Sequence, residues 1–226
     1  MTQDPVRIPI ILQRALRDAR VKQVPAGQIL FYEDDIPQEV YILKQGIVKI
    51  YDIDDQGNEK ILHLVKAPAV IPFAFFSGMR DPLRWFYTTI TECELAVFTG
   101  EELGKMATTD SALGEILTNA FSSDVHELLV RLSSLGKTSA RDKVLSALRF
   151  LMVVHATERR AEWWRVNFPV SHQLIADICG ITRETAALTM KELQGENIIR
   201  NPKLTILEIS RKRLLSRMAP SQGASS

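Results

Sequence analysis

Cysteine is scarce in this 226-residue chain, which contains only Cys93 and Cys179. Two cysteines so far apart exclude a disulfide framework, a four-cysteine zinc site and a four-cysteine iron–sulfur cluster built from this chain alone. The sequence therefore predicts a reduced, cytoplasmic protein without an iron–sulfur cluster.

Long apolar runs are also missing. The longest apolar patch, residues 67–76, contains two prolines and is too short to cross a bilayer. The start of the chain lacks the basic and apolar segments of a secretory signal. The chain also has no phosphate-cradling Gly-x-x-x-x-Gly-Lys loop, no nucleophile–base set and no paired carboxylates in an apolar pocket. These absences predict a protein that is not an enzyme, binds no metal and does not enter a membrane.

Charge is distributed unevenly along a chain whose overall composition is that of a folded protein, with 46% hydrophobic and 24% charged residues. Residues 137–226 hold 15 Lys and Arg against 8 Asp and Glu, a net charge of +7. Residues 1–136 hold 13 and 19, a net charge of −6. A basic half beside an acidic half indicates a polyanionic partner for the basic half.

The hydrophobic periodicity changes near Phe98. Before it, short alternating segments separated by turn residues predict a small antiparallel barrel or roll. After it, apolar residues recur every three or four positions and predict helices. We therefore expect an α+β fold with an N-terminal antiparallel β-roll over 1–109 and a long helix over 110–136. A third domain is expected over 137–218, followed by a disordered tail over 219–226.

The long helix carries one apolar stripe of more than twenty residues. Such a stripe can pack on its own domain or on a partner helix. Its length exceeds what a roll of this size can cover, which favours a homodimer. The residues predicted to form the dimer contact are Leu117, Phe121, Val125, Leu128, Leu132 and Leu135.

Residues 170–195 predict two short helices around a glycine turn. Ser171 and Thr182 are placed to cap the two helices, and Gly180 supplies the turn. On the second helix one face is apolar and the other is polar, which is typical of a helix-turn-helix. The residues predicted to point outward from this helix are Arg183, Glu184, Ala187 and Lys191.

The outward face suits double-stranded DNA. Arg183 can donate two hydrogen bonds to guanine O6 and N7, and Glu184 can accept one from cytosine N4. Glu184 could instead simply favour the helix N-terminus. Ser171, Gln173 and Lys191 are candidate phosphate contacts. A strand pair over residues 198–209 follows as a wing, on which Arg200 and Lys203 are expected to face the DNA backbone.

These segments together resemble the cyclic AMP receptor protein and FNR family of bacterial transcription regulators. The resemblance covers about residues 20–213 and is strongest over residues 178–186, with further matches at 191–193, 25–35 and 40–48. It implies a homodimer joined by the long helix, an effector pocket in the roll, recognition helices that read a palindrome, and RNA polymerase as a partner. Arg183 and Glu184 match the family's two main base-reading residues, and a third reader falls at Leu188. The expected DNA-binding set is Arg183, Glu184, Ser171, Gln173, Thr182, Ala187, Leu188, Lys191 and Lys203.

The nucleotide pocket departs from the family pattern. Pro72 and Phe73 stand where cyclic-nucleotide pockets have a Gly-Glu pair, and Arg84 is shifted by one residue and followed by Trp85. A cyclic phosphate here would be a buried, unpaired charge, so cyclic AMP is not the expected effector. An apolar or acidic small molecule held by Arg84 and a collapsed roll that needs no ligand both stay open. The candidate pocket residues are Phe73, Phe75, Arg84, Trp85, His63, His126 and Glu127.

His63 and His126 raise two further alternatives. Histidine can ligate haem or sense protons, but an ordinary hydrogen-bonded histidine is far commoner, so haem is not expected. The same histidines could serve an enzyme in the roll. A third hypothesis is a small-molecule sensor whose helix-turn-helix contacts proteins. It predicts no salt-dependent affinity for DNA.

Overall fold

The computed structural model of the chain describes residues 16–17, 19–76, 81–132, 136–159, 162–203 and 206–218. Backbone contacts group the chain into two compact units, and the division falls between Leu128 and Leu129, inside the long helix. The expected boundaries at 109/110 and 136/137 stay predictions. The predicted tail, 219–226, lies outside the described residues.

The first unit is built mainly from antiparallel strands. Its elements are β1 (Arg20–Val24), β2 (Ile29–Phe31), β3 (Val40–Gln45), β4 (Ile47–Ile53), β5 (Glu59–Lys66), β6 (Ala69–Ile71), α1 (Phe73–Phe76), β7 (Phe86–Thr89), β8 (Cys93–Phe98) and α2 (Gly100–Thr109). The strands form two sheets, in the orders β1-β8-β3-β6 and β2-β7-β4-β5. This confirms the predicted antiparallel roll.

The core of the roll lies between the two sheets. Leu43 of β3 and Leu95 of β8 are fully buried from one sheet, and Val48 of β4 is fully buried from the other. The chain turns sharply between β3 and β4 at Gly46, whose φ is +103°. A Cβ there would lie 2.5 Å from the Cys93 sulfur, so only glycine allows this close approach.

From Ser111 onward, the described residues are helical apart from one small sheet. The elements are α3 (Ser111–Leu132), α4 (Ala140–His155), β9 (Glu158–Arg159), β10 (Trp163–Val166), α5 (His172–Cys179), α6 (Arg183–Gly195), β11 (Ile199–Lys203), β12 (Ile206–Ser210) and α7 (Arg211–Met218). The sheet has the order β11-β12-β10-β9. It contains the predicted wing, β11 and β12, beside the hairpin of β9 and β10, so the α+β fold with a winged helix-turn-helix is confirmed. None of the helices in the described part of the chain combines the length and apolar character that a bilayer-spanning segment needs.

Candidate nucleic-acid interface and regulatory region

Local hydrogen bonds define the two helices of the helix-turn-helix. The Ser171 hydroxyl accepts from the Leu174 amide at 3.0 Å and caps α5. The Thr182 hydroxyl accepts from the Thr185 amide at 3.2 Å and caps α6. Between them Gly180 adopts the left-handed conformation, with φ 60°, which favours glycine. Both caps and the glycine turn are where the sequence predicted them.

The recognition helix α6 has one buried and one exposed face. Ala186, Met190 and Leu193 are at most 3% exposed and pack inward, at the spacing expected for one helix face. This burial fixes the rotation of α6, because the opposite face must then point to solvent. Arg183, Glu184, Leu188 and Lys191 are exposed there, and Ala187 is half-buried.

Arg183 and Glu184 are available for an external partner. Among the described residues neither side chain forms an ion pair or hydrogen bond with the protein. They occupy the first turn of α6, where a recognition helix presents side chains to base edges. Leu188 is 65% exposed on the same face of α6. An apolar side chain at such a position can contact the methyl group of thymine.

The polar residues around the turn are more constrained than the sequence suggested. Ser171 and Thr182 are exposed, but their hydroxyl oxygens already cap helices; the hydroxyl of Ser171 also keeps a proton to donate. The Gln173 amide donates to the Asp177 carboxylate at 2.6 Å, so it is turned along its own helix. The side chain of Lys203 lies outside the part that the structure describes.

The wing is anchored by one buried carboxylate. Glu208 on β12 accepts hydrogen bonds from Arg165 at 2.7 Å and Arg200 at 2.5 Å, and its side chain is 5% exposed. Arg200 also lies over the Trp163 ring at 4.2 Å. The Arg200 side chain is nevertheless 53% exposed, so the expectation that it faces a DNA backbone stays a prediction.

Replacing Glu208 by glutamine should destabilise this unit. Burial raises the pKa of Glu208, but the two guanidinium groups outweigh it and hold the pKa below its usual range. Glu208→Gln should therefore cost about 1–3 kcal/mol of unfolding free energy at pH 7. The stability advantage of wild type over the variant should shrink as pH falls below about 4.3, the pKa of glutamate in the unfolded chain. It should continue to shrink until pH is below the lower pKa that Glu208 has in the folded protein. Urea unfolding followed by tryptophan fluorescence measures this free energy at each pH.

A matched control for this variant is Glu192→Gln on α6. Glu192 is 64% exposed and lies 3.6 Å from Arg141, so its replacement should change stability by less than about 0.5 kcal/mol. Equal urea unfolding midpoints for the two variants would show that the Glu208 cluster does not stabilise this unit.

The long helix α3 is buried at its start and exposed later. Leu117 is 3% exposed and joins Leu113 in the core of the roll. The prediction that Leu117 belongs to a dimer contact needs correction, because the chain's own roll already covers it. The remaining stripe of exposed apolar side chains is Phe121, Val125, Leu128, Leu129 and Leu132, between 38% and 61% exposed. Leu129 was not predicted, and Leu135 lies outside the described residues.

Arg131, near the end of α3, is a further residue that sequence reasoning missed. Its guanidinium donates to the Ile178 carbonyl at 2.7 Å, and the residue is 7% exposed. Burial lowers the pKa of Arg131, but the carbonyl belongs to the negative end of the α5 dipole. The contact ties the last turn of α3 to the first helix of the helix-turn-helix. The sequence did contain a signal for this contact, because Arg131 is the only charged residue in an otherwise apolar last turn of α3.

The candidate effector residues separate into two groups. His63 and Phe75 are buried, Phe73 and Glu127 are half-buried, and Phe73 stacks on Phe121 of α3 with ring centroids 4.0 Å apart. The exposed group consists of Arg84, Trp85 and His126. The expectation that Arg84 and Trp85 line a pocket together with Phe75 therefore needs correction, because the turn before β7 presents both to solvent. An open cleft of about 870 Å³, lined by other residues, lies beside α2.

Asp124 is the residue that completes the buried part of this region. The Nε2 atom of His63 lies 3.6 Å from a carboxylate oxygen of Asp124. One donor atom each from His63, Asp124 and Glu127 lie within 4.8 Å of one another. Burial raises the pKa of Glu127, against the charges of Lys66, His63 and His126. The spacing Asp124-x-x-Glu127, which puts two carboxylates on one helix face, was the signal that sequence reasoning passed over.

The two thiols are poor nucleophiles. Cys93 is fully buried, and burial raises its pKa. Burial also raises the pKa of Cys179 to about 12. In the native protein at pH 8 we expect iodoacetamide to label Cys179 at least about a hundredfold more slowly than in urea, because only the thiolate reacts. Mass spectrometry of the alkylated peptides measures both rates. Rapid native labelling of Cys179 would restore a redox role for the helix-turn-helix turn.

Comparisons with known proteins agree with this architecture. The family described as "Cyclic nucleotide-binding domain" matches residues 21–110, and "Crp-like helix-turn-helix domain" matches residues 143–217. Together they cover well over half of the chain.

Individual relatives match most of the chain at low identity. The chain is 24% identical over 194 residues to the HTH-type transcriptional regulator ArcR of Staphylococcus haemolyticus, covering 85% of this chain and 84% of the relative. It is 25% identical over 173 residues to the nitrogen fixation regulation protein FixK of Azorhizobium caulinodans, covering 76% and 68%. The solved structure of FixK2 from Bradyrhizobium japonicum has the same fold, with a TM-score of 0.70 at 20% identity over 88% of this chain and 96% of that one. The chain belongs to the CRP/FNR family of transcriptional regulators.

Proposed function

We propose that the protein is a homodimeric transcription regulator that binds a palindromic DNA operator through α6. The observation that carries this proposal is the pair Arg183 and Glu184, exposed at the start of a helix whose opposite face is buried. Arg183 reads a guanine, and Glu184 either reads a cytosine or only favours the N-terminus of α6. The exposed Leu188 favours thymine at a third position.

The dimer is supported by the stripe on α3. Phe121, Val125, Leu128 and Leu132 recur at spacings of four, three and four residues, the pattern by which two helices pack along a common seam. A two-fold dimer presents two copies of α6. Their half-sites are then expected about 34–36 Å apart, one turn of the double helix.

The regulatory input to the roll is proposed to be something other than cyclic AMP. Pro72 and Phe73 replace the pair that would hold the ribose, and Phe73 is stacked on Phe121. Arg84, the cation nearest in sequence to the expected phosphate position, is exposed. An apolar or acidic small molecule fits this setting better than a cyclic nucleotide, and neither haem nor an iron–sulfur cluster is proposed. RNA polymerase is the proposed protein partner.

A regulatory role is proposed in place of an enzymatic one. The families that match both parts of the chain describe a binding domain and a helix-turn-helix domain. Cys179, whose pKa is raised by burial, serves packing, and Glu208, whose pKa is held low by two guanidinium groups, anchors the wing.

Selection of bound fragments from a random DNA pool tests the proposal. The full-length protein should enrich a palindrome, and its affinity should fall steeply with salt, because each phosphate contact releases counterions. Repeating the selection with a metabolite extract shows whether a small molecule changes which DNA sequences the protein enriches, or how strongly it binds them. A helix-turn-helix that serves protein contacts would enrich no sequence and show no salt dependence, and that result would overturn the proposal.

A further inference from the structure

We propose that His63, Asp124 and Glu127 form a binding site for a divalent first-row transition metal ion, with Zn²⁺ as its representative. The ion would join strand β5, which carries His63, to helix α3, which carries both carboxylates. None of its three residues belongs to the helix-turn-helix, and its test requires no DNA.

The first argument is the state of His63. The residue is 4% exposed, and neither ring nitrogen has a hydrogen-bond partner among the described residues. Its Nε2 is 3.6 Å from the Asp124 oxygen, slightly too far for a hydrogen bond. A buried imidazole with no partner is unfavourable, whereas a metal ion would satisfy the nitrogen that is directed at the carboxylate.

The second argument is the geometry of the donor atoms. In a tetrahedral zinc site, with bonds of about 2.0–2.2 Å, neighbouring donor atoms are about 3.3–3.6 Å apart. The His63–Asp124 distance of 3.6 Å already has this value, and all three donors lie within 4.8 Å of one another. Asp124 and Glu127 are half-buried, so small rotations of their side chains bring the oxygens onto the ion.

The third argument is the chemistry of the ligand set. One imidazole and two carboxylates carry two negative charges when ionised, which matches a divalent cation. Imidazole suits Zn²⁺ and neighbouring transition metals, whereas Mg²⁺ prefers oxygen donors alone and keeps its waters. Three protein ligands leave a coordination position for water or an anionic molecule. Lys66 and His126 add positive charge near Glu127. They therefore neutralise part of the negative charge of that carboxylate.

The test is metal stoichiometry in the full-length protein. The protein is stripped with a chelator, dialysed against micromolar Zn²⁺ with excess Mg²⁺, and analysed by inductively coupled plasma mass spectrometry. We expect about one Zn²⁺ per chain. His63→Ala and Asp124→Asn should each weaken binding by more than about a hundredfold, because even groups that only hydrogen-bond to a metal ligand are worth about 10- to 100-fold. Co²⁺ in place of Zn²⁺ should give the visible absorption of a low-symmetry site.

His172→Ala is the matched control, since His172 is an exposed histidine at the start of α5. It should keep the wild-type stoichiometry. If His63→Ala fails to fold, Asp124→Asn carries the test, because the Asp124 side chain is 25% exposed and the amide keeps its shape. A wild-type protein that retains less than about a tenth of an ion per chain would overturn the proposal and leave His63 paired with Asp124 alone. Equal Zn²⁺ in wild type, His63→Ala and Asp124→Asn would overturn it too.

Discussion

Replacing Arg183 by alanine is expected to weaken operator binding by the dimer by about 2–6 kcal/mol, or roughly 30- to 10⁴-fold, because a bidentate guanine contact worth about 1–3 kcal/mol is lost in each half-site. Arg183 is exposed and forms no ion pair or hydrogen bond within the described part of the chain, so the variant should keep its fold. Binding to the selected palindrome and to random DNA, measured at one salt concentration, separates base reading from phosphate attraction.

Arg149→Ala is the matched control for this loss. Arg149 is an exposed arginine on α4, so its removal takes away the same charge without touching α6. Both variants should bind random DNA with nearly equal affinity, and only Arg183→Ala should lose preference for the guanine. Similar operator affinities for the two variants would contradict the base-reading role of Arg183.

Glu184 allows a second distinction in the same assay. If Glu184 reads a base, Glu184→Gln should relax the preference at one position while raising affinity for random DNA, since a carboxylate near phosphates is repelled. If it only favours the start of α6, the variant should lower stability slightly and leave the preferred sequence unchanged.

The features that were predictable from the sequence are those set by neighbours in the chain. Ser171, Gly180 and Thr182 fix the helix-turn-helix through caps and a turn that span three or four residues, and such signals are visible in sequence. The inward face of α6 follows from spacing alone. The winged fold was therefore predictable, and so was the exposure of Arg183 and Glu184.

The features that were missed depend on pairings across the chain. His63 and Asp124 are 61 positions apart, and no local pattern links them. Arg200 pairs with Glu208 and lies over the Trp163 ring, and no local pattern indicates these contacts. Leu117 and Leu128 lie on the same predicted stripe, and only the packed roll shows that the first is core while the second is exposed. Periodicity identifies an apolar face without identifying what covers it.

Replacing Leu128 by aspartate is expected to dissociate the dimer. Leu128 is 42% exposed in the single chain, so the fold should tolerate the change. A two-fold contact carries the substitution twice, and each copy loses the burial of a leucine, about 1.5–3 kcal/mol, and gains a carboxylate that must leave water. We expect the dimer to weaken by at least about 3–6 kcal/mol, roughly 10²- to 10⁴-fold. Sedimentation velocity over a dilution series measures it.

Two comparison variants make this result specific to the stripe. Ile53→Asp introduces the same charge at a 43% exposed position at the end of β4 and should leave the dimer intact. Leu117→Asp, at a position 3% exposed in the roll core, should lower the unfolding temperature, whereas Leu128→Asp should not.

Because a monomer offers one α6 to a palindrome, Leu128→Asp should also lose operator affinity while retaining weak binding to random DNA. Unchanged sedimentation of Leu128→Asp would place the dimer contact elsewhere and leave the exposed stripe on α3 without a role.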